Sequence, residues 1–456
     1  MHLQDYKTER NKSKITKIII LILVLFTLSQ NLKSQVIDTV RINKVFSENT
    51  QEIGSVHLLL SKNNNIVYSK SFGKGTQLIN ENTRIKISTA SLWLASAAIL
   101  AVLEKNNISI DTEIKKVLPQ FQGEKGNITF RQLLSHTSGL PTNSIYLKNR
   151  NITLAQSVDS IAKNVKLLKE PGKTFSYGGV SIQIAARAAE VISKKSWEQL
   201  FFDEIAKPCQ MFVTDFGKAK STNVGDGAYS SAKDYNNFLK MILNKGVFNN
   251  SRVLSENMIN EMLTDNTSNL PLGYTPYRFR TSQNSRHYGL GVWIERIDPK
   301  TKIATEVNCQ GARGFTPWLN TCKNLTGIIS TNDDLKTVQN IVDAVKEIYD
   351  KSFSINCKDV LTNTYDNKER IVGVNELDIV TTPDLVTISF SLEKSALVSL
   401  KFFDSLGNEI DEIVNKNMNA GEHIIPYNIS ELPSGIYFYR LKVNDRIETK
   451  KISIKK

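Results

Sequence analysis

Residues 87–105 read ISTASLWLASAAILAVLEK, and this stretch decides the fold. From Ser91 onward apolar residues such as Leu92 and Leu94 cover most of the helical surface instead of forming a single stripe. A helix that is apolar all round is stable only when other parts of the chain surround it. The pattern therefore predicts a central, buried helix over Ser91–Lys105, around which the rest of a domain is built.

The segments on either side of this helix predict an antiparallel sheet. Val56–Gly73 has the pattern of two strands joined by an Asn-rich turn. Helical and loop segments fill Ile108–Met241, and strands then return to the same sheet before an amphipathic helix over Asp333–Asp350 closes the domain. The returning strands are predicted at Leu290–Ile294, Ala304–Asn308, Gly311–Asn320 and Leu325–Thr331. This order predicts an α/β (α+β) architecture, with an antiparallel sheet flanked by helices and an inserted helical lobe.

Composition and charge narrow the classes of function. The chain has 456 residues and a net charge of +13, with much of the excess near its two ends. Such a diffuse excess favours weak attraction to anionic envelope polymers. It does not resemble the clustered basic surface of a nucleic-acid-binding protein, so we expect no nucleic-acid partner. The scattered His residues predict no metal site, and nothing in the sequence calls for a cofactor.

The four cysteines match no zinc pattern. A Cys309–Cys322 disulfide is excluded if 311–320 is one strand, because such a strand would hold the two sulfurs far apart. The sequence analysis therefore predicts free thiols.

Four parts are predicted along the chain. Residues 1–35 carry a basic stretch followed by the apolar run Ile18–Leu28, which is typical of an export signal, with an uncleaved anchor as the alternative. Residues 36–356 form the main domain, and 357–377 form a linker. Residues 378–456 alternate short strands and turns, which predicts an all-β sandwich.

The main domain resembles the serine β-lactamase and penicillin-binding protein superfamily, in its class C and esterase branch. The resemblance rests on the order and spacing of four stretches. These are Ser91–Phe121 followed by Ile128–Pro141, then Pro171–Pro208, Gly225–Ser255, and YGLGVWIE (Tyr288–Glu295) with GARGFTPWLN (Gly311–Asn320). The resemblance implies a β-lactamase/transpeptidase-like fold and a site for acyl transfer.

That family carries S-x-x-K at the start of the central helix, where the Ser attacks a carbonyl and the Lys takes part in moving its proton. By this resemblance Thr89 stands at the nucleophile position and Leu92 at the lost base position. Tyr177 matches the family Tyr. Gly179 replaces the Asn of Y-x-N. The third element is Cys309-Gln310-Gly311, so Ala312 would supply an oxyanion N–H.

These substitutions predict a loss of chemistry, because Leu92 cannot accept a proton and a nucleophile without its base loses most of its rate. Simpler interpretations stand beside the catalytic ones. Thr89 is interpreted as a helix cap, and Tyr177 is either a site residue or a buried structural Tyr. His136 is interpreted as a residue that fixes its loop. Cys309 as a substitute nucleophile is disfavoured because it lacks a base.

The tail resembles the C-terminal sorting domain of the type IX secretion system of Bacteroidetes. The matching stretches are Thr387–Ile410 and Asn419–Val443, which includes LPSGIYFYRL. The alternative is a generic carbohydrate-binding or adhesive sandwich. The resemblance implies that the type IX machinery is a partner, and that the protein passes through the periplasm and is secreted or reaches the cell surface, usually losing this domain on the way.

Three hypotheses of function follow. The first is a non-catalytic protein, a pseudoenzyme, that binds a peptide or a peptidoglycan-like ligand in the cleft. The second is a weak or divergent serine hydrolase, that is, an esterase, a D-amino-acid peptidase or a β-lactamase. The third is an adhesive surface protein in which the fold is only a scaffold.

Overall fold

The chain is described here from a computed structural model. It describes residues 37–49, 53–74, 76–149, 151–220, 222–276 and 287–353, and beyond these 355, 357, 360–361, 374–381, 385–392, 394–404, 408–444 and 446–454. The predicted export signal lies outside these residues. The chain divides into two compact units, Met1–Thr362 and Asn363–Lys456.

The first unit is built on a seven-stranded sheet in the order β13-β9-β10-β11-β12-β1-β2, with every neighbouring pair antiparallel. Its strands are β1 Ser55–Lys62, β2 Asn65–Gly73, β9 Trp293–Ile297, β10 Ala304–Asn308, β11 Thr316–Asn320, β12 Leu325–Thr331 and β13 Val360–Leu361. The turn between β1 and β2 places Asn63 and Asn64 at φ 48° and 66°. Asn tolerates this left-handed region, which two-residue hairpin turns require. The antiparallel sheet is therefore as predicted.

Helices cover both faces of the sheet. The helices of this unit are α1 Thr39–Asn49, α2 Ser91–Lys105, α3 Phe130–Leu134, α4 Ile145–Lys148, α5 Leu154–Asn164, α6 Gly179–Ser193, α7 Trp197–Phe201, α8 Ala232–Leu243, α9 Glu256–Leu263 and α10 Leu335–Lys351. On β1, Leu58 and Leu60 join the core under α1 and α10, whereas Leu59 joins the core around α2. Alternate side chains of a strand point to opposite faces, so one strand serves two cores.

The inserted lobe, which lies between β2 and β9 in the chain, also contains short strands and tight turns. The short strands are β3 Ile85–Lys86, β4 Phe175–Ser176, β5 Tyr229–Ser230, β6 Val247–Phe248, β7 Ser251–Arg252 and β8 Leu272–Tyr274. A 3₁₀ turn at Ser88–Ala90 leads directly into α2. Every residue of α2 from Ser91 to Leu103 is buried, which confirms the prediction of a central helix.

Two of the returning strands differ from their predicted bounds. The strand predicted at Leu290–Ile294 begins at Trp293 instead, because Gly291 has φ 88° and belongs to a turn. The strand predicted from Gly311 begins at Thr316, because Gly314 has φ 77° and the Gly311 N–H donates to the Phe315 carbonyl at 2.8 Å. Glycines that adopt positive φ end regular pairing locally.

The prediction of free thiols was wrong for two of the four cysteines. Cys322 and Cys357 form a disulfide with a Cα–Cα distance of 6.0 Å, and Cys209 and Cys309 are free and buried. Cys309 and Cys322 are unbonded to each other, as predicted. The sequence pattern did not show that the chain beyond α10 returns to the turn after β11, so the partner of Cys322 was missed.

The second unit has two sheets, in the orders β14-β15-β18 and β17-β16-β19-β20. Its strands are β14 Val374–Thr381, β15 Leu385–Leu392, β16 Ala396–Phe403, β17 Glu409–Met418, β18 Gly421–Asn428, β19 Gly435–Val443 and β20 Arg446–Ile454. A core that includes Ile388 of β15 and Leu400 of β16 lies between the sheets. The unit is therefore an all-β sandwich. Strand β14 begins before the predicted start at 378, and β13 belongs to the large sheet although it was predicted to be linker.

No helix among the described residues has both the length and the apolar character needed to cross a membrane.

Candidate active site

The hydroxyl of Thr89, just before α2, forms a hydrogen bond to another loop instead of capping the helix. The Thr89 hydroxyl donates to the Gln310 carbonyl at 2.8 Å, and neither the 3₁₀ turn nor α2 has a side-chain cap. The interpretation of Thr89 as a helix cap was therefore wrong. The reason is tertiary, because the β10–β11 loop brings a carbonyl oxygen within reach of this hydroxyl.

The residue before Thr89 has a strained backbone. Ser88 is buried with φ 52°, a region that non-glycine residues rarely adopt. Its hydroxyl donates to Asp226 Oδ1, and Lys86 Nζ lies 2.9 Å from Asp226 Oδ2. The ion pair and the hydroxyl thus fix the turn that presents Thr89. Sequence reasoning missed this chain of three residues because Ser88 and Asp226 are 138 positions apart.

Leu92, which the family resemblance predicts to stand at the base position, is packed into the protein. Its exposed fraction is 2%. A Cβ placed on Gly225 would lie 3.6 Å from Leu92 Cδ2 and 3.5 Å from Gly179 Cα. The backbone at Gly225 therefore lies between the first turn of α2 and the start of α6, and the side chain at position 92 has an apolar environment.

Tyr177 is buried in a group of aromatic rings. Its ring centroid is 4.7 Å from that of His136 and 5.0 Å from that of Trp293, and its exposed fraction is 6%. Phe175 and Tyr288 complete the group. Ring pairs at these distances stabilise a core beyond their buried area. The observed packing agrees with a structural role for Tyr177 and gives it little contact with solvent.

The two glycines after Tyr177 are explained by close packing. A Cβ on Gly178 would lie 2.1 Å from the Thr142 carbonyl oxygen, so no larger residue fits there without a shift of backbone. A Cβ on Gly179 would lie 3.2 Å from Leu147 Cδ1. Leu147 thus lies beside Gly179, and a larger side chain at this position would have to displace it.

His136 fixes the loop that carries Tyr177. Its Nδ1 accepts the Gly178 N–H at 3.4 Å, and its carbonyl accepts the Ser176 N–H at 2.9 Å. Burial lowers the pKa of His136 to about 3, so the ring is neutral at physiological pH. These contacts agree with the loop-fixing interpretation.

The third element of the site lies against the start of α2. The Cys309 thiol is buried and donates to the Thr89 carbonyl at 3.4 Å. Burial raises the pKa of Cys309 to about 12, so its reactive thiolate is scarce at neutral pH. A Cβ on Gly311 would lie 2.2 Å from the Ile87 carbonyl oxygen. The structure therefore brings Thr89, Cys309 and Gly311 together.

Ala312 is exposed, and its carbonyl accepts the Leu335 N–H of α10 at 3.1 Å. The loop after β10 therefore forms hydrogen bonds both with the start of α10 and with Thr89 at the start of α2. Within the described ranges, no group of three or more His, Cys, Asp or Glu side chains could hold a metal ion.

The fold and this site define a β-lactamase-like protein of the serine hydrolase superfamily. The Beta-lactamase family profile matches residues 42–347, and the chain belongs to that family. The profile of the secretion system C-terminal sorting domain matches residues 382–455. The sorting domain makes this a secreted or cell-surface protein that the type IX secretion system handles.

Solved structures of other proteins have a similar fold. A candidate beta-lactamase of Bacteroides dorei superposes with a TM-score of 0.60 at 27% identity, covering 69% of this chain and 100% of that one. The octameric penicillin-binding protein homologue of Pyrococcus abyssi has a TM-score of 0.58 at 16% identity, covering 92% of this chain and 97% of that one, which shows the fold alone.

Among curated proteins, Protein flp of Staphylococcus aureus strain MW2 is 26% identical over 182 residues, which are 38% of this chain and 36% of that protein. The match thus spans little more than a third of the relative.

Proposed function

We propose that this protein is a non-catalytic member of its family that binds a peptide or peptidoglycan-like ligand in the cleft beside Thr89. The observation that carries the proposal is the burial of Leu92 at the base position, with an exposed fraction of 2%. An alkyl side chain cannot accept a proton, and the Thr89 hydroxyl already donates to the Gln310 carbonyl. Loss of one member of a nucleophile–base unit lowers the rate by up to about a million-fold.

The surroundings of the site support the same conclusion. Leu147 and Gly225 lie against Gly179, so apolar atoms and backbone lie near the position where relatives hold a polar amide. A Tyr with an ordinary pKa near 10 is a poor base without a neighbouring cation. The glycines and the ion pair still fix the backbone around Thr89, so a shaped cleft can persist without acyl transfer.

The chemistry is tested by covalent labelling of the full-length chain. We expect neither a fluorescent penicillin nor a fluorophosphonate to add to the protein, as measured by intact mass. An adduct on Thr89 would contradict the proposal and favour the weak hydrolase. The double variant Thr89→Ser/Leu92→Lys is expected to gain labelling. Its matched control, Thr89→Ser/Leu92→Met, restores the hydroxyl without the base and should stay unlabelled.

The binding half of the proposal is tested separately by calorimetric titration with muropeptides and with D-alanyl-D-alanine peptides. We expect saturable binding that Ala312→Trp abolishes, because this exposed residue lies on the loop beside the site. A variant at an exposed position of the second unit, Ile424→Trp, is the control. Failure of all these ligands to bind would favour the scaffold hypothesis.

A further inference from the structure

The end of α10 is tied to the sheet by several side chains. Lys323, in the turn after β11, lies with its Nζ 2.8 Å from Asp350 Oδ1 and donates to the Asp350 carbonyl at 3.1 Å. Lys62 Nζ lies 5.1 Å from the centre of the Phe353 ring. Phe353 is buried against Tyr349, at 5.6 Å between ring centroids. The last turn of α10 and the residues after it therefore lie against the β11–β12 turn and the end of β1.

A disulfide bond links the same turn to a residue nearer the end of the first unit. Cys322 neighbours Lys323 in the same turn and is bonded to Cys357, 35 positions further along the chain. Three residues beyond Cys357, Val360 and Leu361 pair with Ile297 and Arg296 as the edge of the sheet. The unit then ends at Thr362.

Two of the noncovalent ties around Cys357, namely strand β13 and the ion pair of Asp350, contribute little stability. Strand β13 has only two residues. Asp350 is 37% exposed, and partly exposed ion pairs contribute little to stability. Short terminal elements open readily unless they are anchored. The disulfide is therefore the covalent tie that holds Cys357, which lies between α10 and β13, to the turn after β11.

We propose that the Cys322–Cys357 disulfide is a redox-dependent clamp that keeps the end of the first unit folded, independently of the sorting domain. Closure joins the two sulfurs and releases two protons and two electrons. An oxidised dithiol protein of the envelope, or oxidised glutathione in vitro, takes them and becomes a pair of thiols. In the reducing cytoplasm the thiols stay separate, so the clamp closes only after export.

This arrangement suits a secreted protein. The second unit carries the sorting domain, which directs the chain and is expected to be removed. The disulfide at Cys357, shortly before Thr362, keeps the end of the first unit attached to the sheet even when the second unit has been removed. The two remaining cysteines, Cys209 and Cys309, are buried and take no part.

The experiment uses the full-length chain, oxidised or treated with dithiothreitol under native conditions, with limited trypsin digestion followed by mass spectrometry. Cleavage between residues 350 and 361 is expected to accelerate about tenfold or more on reduction, because local opening then controls access. Cleavage after Arg187, in the middle of α6, serves as the internal reference and should stay slow. The double variant Cys322→Ser/Cys357→Ser should be cut at the reduced rate with or without dithiothreitol, whereas Cys209→Ser should behave as the parent.

Thiol alkylation after denaturation gives a second readout. Of the four cysteines in the sequence, only Cys209 and Cys309 should react in protein recovered outside the cell, and all four after reduction. Equal cleavage of oxidised and reduced protein, or four reactive thiols in the secreted form, would overturn the proposal.

Discussion

Position 92 is the residue on which the proposed loss of chemistry depends most directly. A charged Lys in the first turn of the central helix needs polar neighbours or water, whereas Leu92 packs close to Gly225 and is only 2% exposed. Thr89 keeps a hydroxyl, but this hydroxyl donates to a backbone carbonyl. The proposed loss of acyl transfer rests on these two residues.

The substitution Leu92→Lys alone is expected to destabilise the protein by roughly 2–4 kcal/mol, or to lower the pKa of the new amine, because burial disfavours the charged form. Denaturant unfolding of the full-length chain measures the change, with Leu92→Met as the control of similar volume. If the Lys and Met variants unfold at the same denaturant concentration, position 92 is hydrated and the site is more open than its packing indicates.

At the scale of elements, the site depends on loops that are fixed against one another. His136 joins the loop after α3 to the segment that carries Tyr177, through the hydrogen bond from the Gly178 N–H. The Lys86–Asp226 pair joins β3 to the turn before β5 and holds the strained Ser88. Such contacts between distant segments position the side chains of the site more firmly than any one helix does.

The buried His136 makes this arrangement sensitive to acid. Its folded pKa is about 3, below the unfolded value of 6.5, so the unfolded chain binds the extra proton first. Its contribution to stability is therefore complete above pH 6.5 and is lost as the pH falls toward 3. Between pH 7 and pH 4 the loss from this residue amounts to about 3 kcal/mol.

The variant His136→Asn tests this dependence. Asn tolerates the positive φ of 58° found at this position and carries no titratable group. The free energy of unfolding of the variant should change less between pH 7 and pH 4 than that of the parent. His57, whose pKa burial lowers to about 4, is present in both proteins and cancels in the comparison. An unchanged pH dependence would exclude His136 as its source.

At the scale of the whole molecule, the chain joins a β-lactamase-like unit to an all-β sorting unit. The core of each unit is made of its own residues. Domains that have separate cores and are joined by a linker are expected to unfold separately. The type IX sorting domain serves transport, and none of the residues of the candidate site lies in it.

Deletion of residues 378–456 is therefore expected to leave the unfolding temperature of the first unit unchanged while the protein accumulates in the periplasm of its native host. Calorimetry and cell fractionation measure the two effects. The matched control is the full-length chain with Ile424→Thr, a substitution at an exposed position of strand β18. Normal delivery of the truncated protein to the surface would contradict the sorting role and favour the adhesive one.

The sequence by itself determined the architecture and the kind of site. The resemblance to the β-lactamase family assigned Thr89, Leu92, Tyr177 and Gly311 to one expected site. The apolar surface of Ser91–Lys105 required burial, and the alternating strands required a sheet. These features are local patterns, which the 3.6-residue and two-residue periodicities make readable.

Only the tertiary structure decided which distant groups meet. It gave the Thr89 hydroxyl an acceptor in the loop after β10, paired Ser88 with Asp226, and brought Cys357 to Cys322. Contacts across such separations in the chain leave no periodic signal in the sequence. They arise because packing of the helices and the sheet brings the loops between them together.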